Sequence, residues 1–186
     1  MESSPRGSRW FTPEMITALS AVLVGVCAIG VSVYQVSVMQ AHQQASVWPF
    51  VQGGWGYTED HVRVYIANSG VGPAKIKHVS LLYKGEPQPD WNTLFNTMGL
   101  GDIYYTQSQL NGRVMPAEDI VEMVTLPMSE WSEAFYNSSE DLLMTICYCS
   151  VYDSCWESQV FGGERGWETA LEVKECLADE RTRFKQ

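Results

Sequence analysis

The sequence predicts a mainly β protein: an N-terminal transmembrane helix followed by an antiparallel β-sandwich, immunoglobulin-like or a small barrel, with short helices. Residues 15–34 form an uncharged, mostly apolar run. As a helix, this run is long enough to cross about 30 Å of hydrocarbon. The remaining chain holds about six or seven short strand-like segments separated by turn residues, a pattern typical of sandwiches and barrels. It lacks the long helical segments that a parallel sheet needs for its crossovers.

The charged residues beside the apolar run predict the orientation of the chain in the membrane. Arg6 and Arg9 are the only basic residues before Arg63, and basic residues favour the cytoplasmic side of a span. We therefore expect a single-pass membrane protein with a cytoplasmic N-terminus and an extracytoplasmic C-terminal domain. The predicted segments are a cytoplasmic N-terminus, a transmembrane helix, a stalk and an extracytoplasmic β-domain, at residues 1–14, 15–39, 40–47 and 48–186.

A cleavable signal peptide is the main alternative interpretation of the apolar run. Ala41 and Ala45 provide small residues near a cleavage point. The run is longer than the ~7–15 residues usual for the core of such signals, and few basic residues precede it. A buried core helix is a third alternative, but such long uncharged runs are typical of membrane spans. A retained anchor is therefore favoured, with the lipid bilayer as its first partner.

Small residues recur inside the predicted span at intervals of three and four. This spacing lines them along one face of a helix, where a second helix can approach closely. The alternative is that small residues are simply common in membrane spans. We expect self-association or association with a partner helix through the face formed by Ala18, Ala21, Gly25, Ala28 and Ser32.

The net charge of the chain is −10, and all of it lies beyond residue 39, since the segment before holds two basic and two acidic residues. Nucleic acids and anionic headgroups are bound mainly through Lys and Arg. The acidic balance therefore excludes nucleic acid as an expected partner. A basic protein or a cation fits the charge, and improved solubility is the alternative explanation.

Five cysteines are present, and four of them fall in the predicted outer domain. An oxidising compartment favours two disulfides among Cys147, Cys149, Cys155 and Cys176, with three connectivities open. Cys147 and Cys149 are two residues apart on a predicted strand, so their side chains share a face and are poorly placed to bond each other. A four-cysteine zinc site is the alternative, although the usual C-x2-C spacing is missing. Cys27 lies in the span.

The first strands of the domain are predicted by alternation and turn chemistry. Residues 47–57 mix aromatic and β-branched residues with Gly, and residues 61–67 alternate between apolar and polar. Residues 68–73 form a turn, and residues 74–83 resume the strand pattern. We expect the last two strands to form a β-hairpin.

This hairpin carries two of the three histidines. If it turns near Val71, His78 falls roughly opposite Arg63, with His61 a few residues away. A two-histidine metal site with Asp60 would then be geometrically accessible. Isolated strand histidines are more often structural, so no metal site is predicted.

Two short helices and several strands follow. The helices are predicted at residues 91–100, capped by Asp90, and at residues 129–136, capped by Ser129 with Glu133 close to the capping-box position. The further strands are predicted at residues 119–126, 141–152, 155–161 and 167–176. Residues 103–105 indicate the start of another strand, and residues 113–115 lead into the strand at residues 119–126. Residues 141–152 and 155–161 read as a second hairpin. The final segment also fits a helix face.

Several short motifs together carry a family resemblance. They are the N-terminal span, Trp48 and Pro49, the turn at residues 68–74, and the strand at residues 147–152 that leads to Cys155 and Trp156. With these motifs the chain resembles uncharacterised bacterial single-pass inner-membrane proteins that carry a small periplasmic β-domain. The resemblance spans most of the chain and implies a periplasmic domain. It brings no activity, cofactor or catalytic residue.

No catalytic or cofactor motif is recognisable in the sequence. There is no G-x-S-x-G elbow, and adjacent acidic pairs such as Glu118 and Asp119 point to opposite faces of a strand. Gly53 and Gly54 do not lead into a helix N-terminus, as a phosphate loop requires. We therefore expect a non-enzymatic protein that uses no cofactor.

Aromatic residues are the remaining candidates for a binding surface, because large rings dominate the energetics of many interfaces. They are equally candidates for the core. The leading hypothesis is that the outer domain binds a partner protein, as an accessory subunit of a membrane complex. The alternatives are a module that binds a sugar or peptide, or an envelope enzyme whose site has no known motif; a pocket with convergent polar groups would favour these. The candidate aromatics are Trp55, Tyr57, Trp91, Tyr104, Tyr105 and Trp131.

Overall fold

The structure is a computed structural model that describes residues 12–101, 103–161, 170–177 and 181–185. The chain divides into two compact units, Met1–Gln43 and Gln44–Gln186.

Helix α1 spans Pro13–Ala45 and dominates the first unit. Its most apolar window has a mean hydropathy of 2.4, and none of its residues is buried. At 1.5 Å per residue, its 33 residues extend for about 50 Å, well over the thickness of hydrocarbon in a bilayer. The prediction of a long apolar N-terminal helix is confirmed, and most of the predicted stalk continues this helix. Such a helix is compatible with a membrane span or a signal sequence.

The second unit contains the strands and the two short helices. The strands in chain order are β1 (Val51–Tyr57), β2 (His61–Asn68), β3 (Ala74–Tyr83), β4 (Glu86–Pro87), β5 (Thr106–Gln107), β6 (Val114–Met115), β7 (Ile120–Pro127), β8 (Leu142–Cys149), β9 (Cys155–Phe161) and β10 (Ala170–Val173). The helices are α2 (Trp91–Thr97) and α3 (Glu130–Asn137), with a short 3-10 turn at Ser139–Asp141.

These strands form two antiparallel sheets. The first sheet has the order β1-β2-β7-β5, and the second has the order β10-β9-β8-β3-β4, with β6 also pairing with β3. Alternating residues of both sheets enter one shared hydrophobic core, which confirms the prediction of a mainly β domain. Val64 and Val124 come from the first sheet, and Val79 and Ile146 from the second.

The two sheets approach closely where β1 lies against β9. A Cβ atom on Gly53 would lie 2.0 Å from Cγ1 of Val160, a core residue of β9. The glycine therefore leaves room for a side chain of the opposite sheet. On the other face of β1, Gly54 lies beneath the ring of Tyr65. The glycines of β1 thus serve close packing, which explains their presence in a strand.

The predicted hairpin of β2 and β3 is wrong. β2 pairs with β1 and β7, whereas β3 pairs with β8 in the other sheet, so residues 68–73 cross between the sheets. His78 pairs with Cys147, and His61 bonds Thr58 at the end of the first sheet. The predicted proximity of His78 to Arg63 is therefore also wrong, and the two-histidine arrangement loses its basis.

Both predicted helices are confirmed, together with their caps. The Asp90 carboxylate accepts a hydrogen bond of 2.8 Å from the backbone N–H of Thr93. Ser129 caps α3, but the reciprocal bond of the capping box comes from the Ser132 hydroxyl, one residue before Glu133. Local capping chemistry thus fixes the starts of α2 and α3.

The second hairpin is confirmed, since β8 pairs with β9 with Cys149 opposite Cys155. The final strand is also confirmed, over Ala170–Val173, where it pairs with β9 at the edge of the sheet. The start predicted at residue 167 lies outside the described residues. Beyond β10, Arg183 forms a bridge with Ser80, on the edge of β3 between its pairings with β4 and β6. The described residues 174–177 and 181–185 are here called the C-terminal segment; the first part directly follows β10, and the second part lies at β3.

Candidate functional site

The candidate aromatics separate into core and surface groups. Trp91 is only 1 % exposed, and its ring contacts Phe95 and Phe184 inside the core. The prediction that Trp91 contributes to a partner-binding surface is therefore wrong, because the folded domain buries its ring. Trp55 and Tyr105 are partly buried and pack against the same core.

Tyr57 lies at the end of β1, beside helix α3. Its ring meets Tyr136 edge-on at 4.9 Å, and Tyr136 in turn meets Trp55. Partial burial raises the pKa of the Tyr57 hydroxyl, and the neighbouring Tyr136 and Glu133 shift the pKa in the same direction. These rings connect the core to the surface next to α3.

Tyr104 and Trp131 are the most accessible of the candidate aromatics, and they lie together. Tyr104 is 80 % exposed and Trp131 is 49 % exposed. They line a shallow groove of about 220 Å³, here called the aromatic groove, whose lining is Ile103, Tyr104, Leu126, Pro127, Ser129 and Trp131. Leu126 and Pro127 come from the end of β7, and Ser129 is the N-cap of α3, two residues before Trp131.

Acidic residues accompany the aromatic groove in the chain. Glu130 and Glu133 belong to the first turn of α3, next to Trp131. Asp60 reaches the same end of β7, since its carbonyl oxygen accepts a hydrogen bond of 2.8 Å from Met128. The aromatic groove is therefore adjacent in the chain to acidic residues, although none of them lines it.

The β-domain contains two disulfides among the four predicted cysteines. Cys147 bonds Cys176, and Cys149 bonds Cys155, so Cys147 and Cys149 do not bond each other. Because disulfide sulfurs carry no thiolate charge, they are not available in this state as the zinc ligands of the alternative hypothesis. Cys27 is exposed on α1 with a free thiol.

The disulfide of Cys147 attaches the C-terminal segment to the outer face of the second sheet. Cys147 alternates along β8 with the core residues Ile146 and Tyr148, so its side chain points away from the core. Phe184, further along the segment, inserts into the core, and its backbone N–H donates to the carbonyl oxygen of Val79 at 2.9 Å. The segment is thus fixed to both β8 and β3.

A polar cavity lies between this segment and the sheet. Its volume is about 620 Å³, and His78, Ser80, Thr145, Cys147 and Glu157 line it from the sheet. The C-terminal segment adds charged and polar groups from Lys174, Glu175 and Thr182. Several polar groups therefore converge on one space.

Strand register explains how distant residues meet in this cavity. Cys147 pairs with His78 on one side and with Glu157 on the other, and Thr145 pairs with Ser80. The sequence does not reveal this site, because its turn chemistry predicts a hairpin of β2 and β3 whereas β3 pairs with β8. Thr145 and Cys147 alternate with apolar residues, which indicates that their side chains lie on the outer face of the sheet. This alternation does not indicate that the C-terminal segment covers that face.

The candidate helix-packing face lies on α1. Ala18, Ala21, Gly25, Ala28 and Ser32 are all exposed there, and a Cβ on Gly25 would meet nothing within 4 Å. Contact with another helix therefore stays a prediction.

Comparison with protein-family models and with curated proteins finds no match for this chain.

Proposed function

We propose that this protein is anchored in the inner membrane by α1 and acts without catalysis by binding a partner protein through the aromatic groove of its periplasmic or extracellular domain. Arg6 and Arg9 before the apolar run support this orientation. The two disulfides suit an oxidising compartment. The assignment of the domain as an immunoglobulin-like sandwich or small barrel belongs to the same proposal.

The proposal rests on the observation that Tyr104 and Trp131 line one groove. Tyr104 is 80 % exposed and Trp131 is half-exposed, and both line the same groove. Their rings offer apolar surface whose burial is favourable. Trp and Tyr are enriched at the energetic centres of interfaces. The neighbouring Glu130 and Glu133, together with the net charge of −10, favour a partner surface that combines apolar and basic residues.

Substitution in the groove tests this function. Full-length protein carrying Trp131→Ala or Tyr104→Ala is purified in detergent beside the wild type, and co-purifying proteins are quantified by mass spectrometry. Tyr152→Ala is the matched control, because Tyr152 is a half-exposed tyrosine in the turn between β8 and β9. The expected result is a partner lost from both groove variants and retained by the control, with a Kd weakened at least about tenfold in the groove variants. Equal recovery of every protein from all four samples contradicts the proposal.

The orientation has its own test. A reporter that works only in an oxidising, extracytoplasmic compartment should be active when it is fused after Gln186. Activity of a cytoplasm-dependent reporter at this position contradicts the proposed location.

Binding of a small polar ligand is the second candidate function, and the cavity beneath the C-terminal segment favours it. Ser80, Thr145 and Glu157 offer hydroxyl and carboxylate groups of the kind that bind sugar hydroxyls or peptide amides. Thermal shift measurements with a panel of sugars and short peptides test it. A stabilising ligand whose effect is lost in Thr145→Val supports it, whereas no shift with any member of the panel rejects it for these two classes.

A further inference from the structure

The two disulfides form one sulfur cluster. The Sγ atom of Cys149 lies 3.7 Å from the Sγ atom of Cys176, although each belongs to a different bridge. The Sγ atoms of Cys149, Cys155 and Cys176 all lie within 4.8 Å of one another. A separation of 3.7 Å between two sulfur atoms is direct contact. A thiolate released at Cys176 or Cys149 by reduction of its own bridge would therefore contact a sulfur of the other bridge.

Thiol–disulfide exchange requires that a thiolate attack a sulfur of a disulfide. A thiolate on Cys176 would already contact the bridge of Cys149, and a thiolate on Cys149 would contact the bridge of Cys176. We propose that the four cysteines form a redox-active exchange site, in which reduction of the Cys147–Cys176 disulfide by a dithiol leads to a new Cys149–Cys176 disulfide.

Cys176 is the point at which the external reductant reacts. It is partly exposed on the C-terminal segment, whereas the other three cysteines are buried in the sheet. A thiolate of the dithiol attacks Sγ of Cys176, and Cys147 leaves as a thiolate. The second thiol of the reductant then attacks the mixed disulfide and releases Cys176 as a thiolate. The reductant becomes a disulfide, and two electrons have entered the site.

The second step takes place within the protein. The Cys176 thiolate attacks Sγ of Cys149, the bond between Cys149 and Cys155 breaks, and Cys155 leaves as a thiolate that takes up a proton. This step neither consumes nor releases electrons. A disulfide bond is about 2.05 Å long, so the two sulfur atoms approach by less than about 2 Å. Cys147 and Cys155 end as free thiols.

The exchange changes the polar cavity. In the new disulfide, Cys176 is bonded to Cys149 of β8 instead of Cys147. The residue of β8 that holds the C-terminal segment thus changes to one two positions further along, about 7 Å away along the strand. Cys147 becomes a free thiol in the cavity, where His78 is its partner across the strands. An imidazole next to a thiol is suited to accept or return its proton. The site then presents a nucleophilic thiol that the oxidised protein lacks.

Full-length Cys155→Ser protein tests the exchange without an external reductant. The substitution leaves Cys149 as a thiol in contact with the intact Cys147–Cys176 bridge. Rapid alkylation and non-reducing peptide mapping should find the free thiol on both Cys149 and Cys147, with a Cys149–Cys176 linkage in at least about one chain in ten. Exclusive alkylation of Cys149, with only the Cys147–Cys176 linkage present, overturns the proposal.

Wild-type protein provides a second test that does not depend on the folding of a variant. It is treated with limiting dithiothreitol, quenched with acid, and alkylated, and the singly reduced species is mapped. The exchange predicts label on Cys147 and Cys155 together with a Cys149–Cys176 linkage, whereas independent bridges give label either on Cys147 and Cys176 or on Cys149 and Cys155, and neither of these patterns includes a Cys149–Cys176 linkage. Cys27 is labelled in either case and serves as the internal standard. A singly reduced species labelled only on Cys147 and Cys176 contradicts the exchange.

Discussion

The side-chain amide of Asn68 donates a hydrogen bond of 2.8 Å to the carbonyl oxygen of Gly72, inside the segment that crosses between the two sheets. The same nitrogen lies 2.9 Å from the carbonyl oxygen of Pro116, and the side-chain oxygen accepts from the backbone N–H groups of Phe50 and Gly70. Asn68 is fully buried. One side chain thus satisfies backbone groups from three separate segments of the chain.

Replacing Asn68 with Ala should strongly destabilise the domain. The substitution leaves buried N–H and C=O groups without partners, and each such group costs about 1–3 kcal/mol. We expect a loss of about 3–5 kcal/mol, measured by chemical denaturation of the detergent-solubilised protein. Ser69→Ala is the control, because among the described residues the exposed Ser69 hydroxyl bonds only the Gln52 side chain. This substitution should cost under about 0.5 kcal/mol. Similar effects of the two substitutions would contradict the assigned role of Asn68.

Close packing between β1 and β9 gives a second prediction. Gly53→Ala places a methyl group 2.0 Å from Cγ1 of the buried Val160, so the sheets must shift or the valine must change rotamer. Overpacking of this kind costs about 1–3 kcal/mol. In a double-mutant cycle, Val160→Ala should recover at least about 1 kcal/mol of that loss, because it removes the clashing methyl group. Additive effects in the cycle would show that the two residues do not compete for space.

The elements that could be predicted from sequence are those fixed by local chemistry. The caps at Asp90 and Ser129 define α2 and α3, and the alternation in β8 and β9 with a short turn defines their hairpin. The long helix α1 follows from composition alone.

The pairing of β3 could not be predicted, because it depends on contacts distant in sequence. The turn at residues 68–73 has the chemistry of a hairpin, yet Asn68 bonds residues 115 and 116 and directs the chain to the other sheet. The polar cavity was missed for the same reason, since it requires β3, β8, β9 and the C-terminal segment together. Among the candidate aromatics, Tyr104 and Trp131 are exposed and Trp91 is buried. That Tyr104 and Trp131 line one groove could not be predicted, because the two residues are distant in sequence.

The ion pair of Arg63 and Glu122 on the first sheet gives a prediction about pH. The hydrogen bond from Arg63 holds the pKa of the Glu122 carboxyl below its usual value, partly opposed by burial, and the Thr125 hydroxyl adds to the lowering. Because the folded pKa is the lower one, the stabilisation is present above the ordinary Glu value of about 4.3 and is lost as pH falls through the folded pKa.

An NMR titration of the Glu122 carboxyl measures this effect. Arg63→Met should raise the pKa of Glu122 toward its ordinary value, and Thr125→Val should raise it by less, because Arg63 is the larger cause. The stability difference between wild type and Arg63→Met should shrink as pH falls below about 4. An unchanged pKa of Glu122 in Arg63→Met would remove the assigned cause.

The last prediction concerns association through α1. Gly25 lies in the middle of the small-residue face, and Gly30, five residues later, is turned about 140° away from it on the helix. Neither glycine has a neighbour within 4 Å of its Cβ position, so Leu fits at both sites in the isolated chain. In lipid, helices associate through close packing, which a large side chain on the contact face prevents. Gly25→Leu should therefore weaken association in a membrane two-hybrid assay, and Gly30→Leu should leave it unchanged. If the two variants associate equally well, the small residues do not form a contact face, and α1 serves only to hold the β-domain at the membrane.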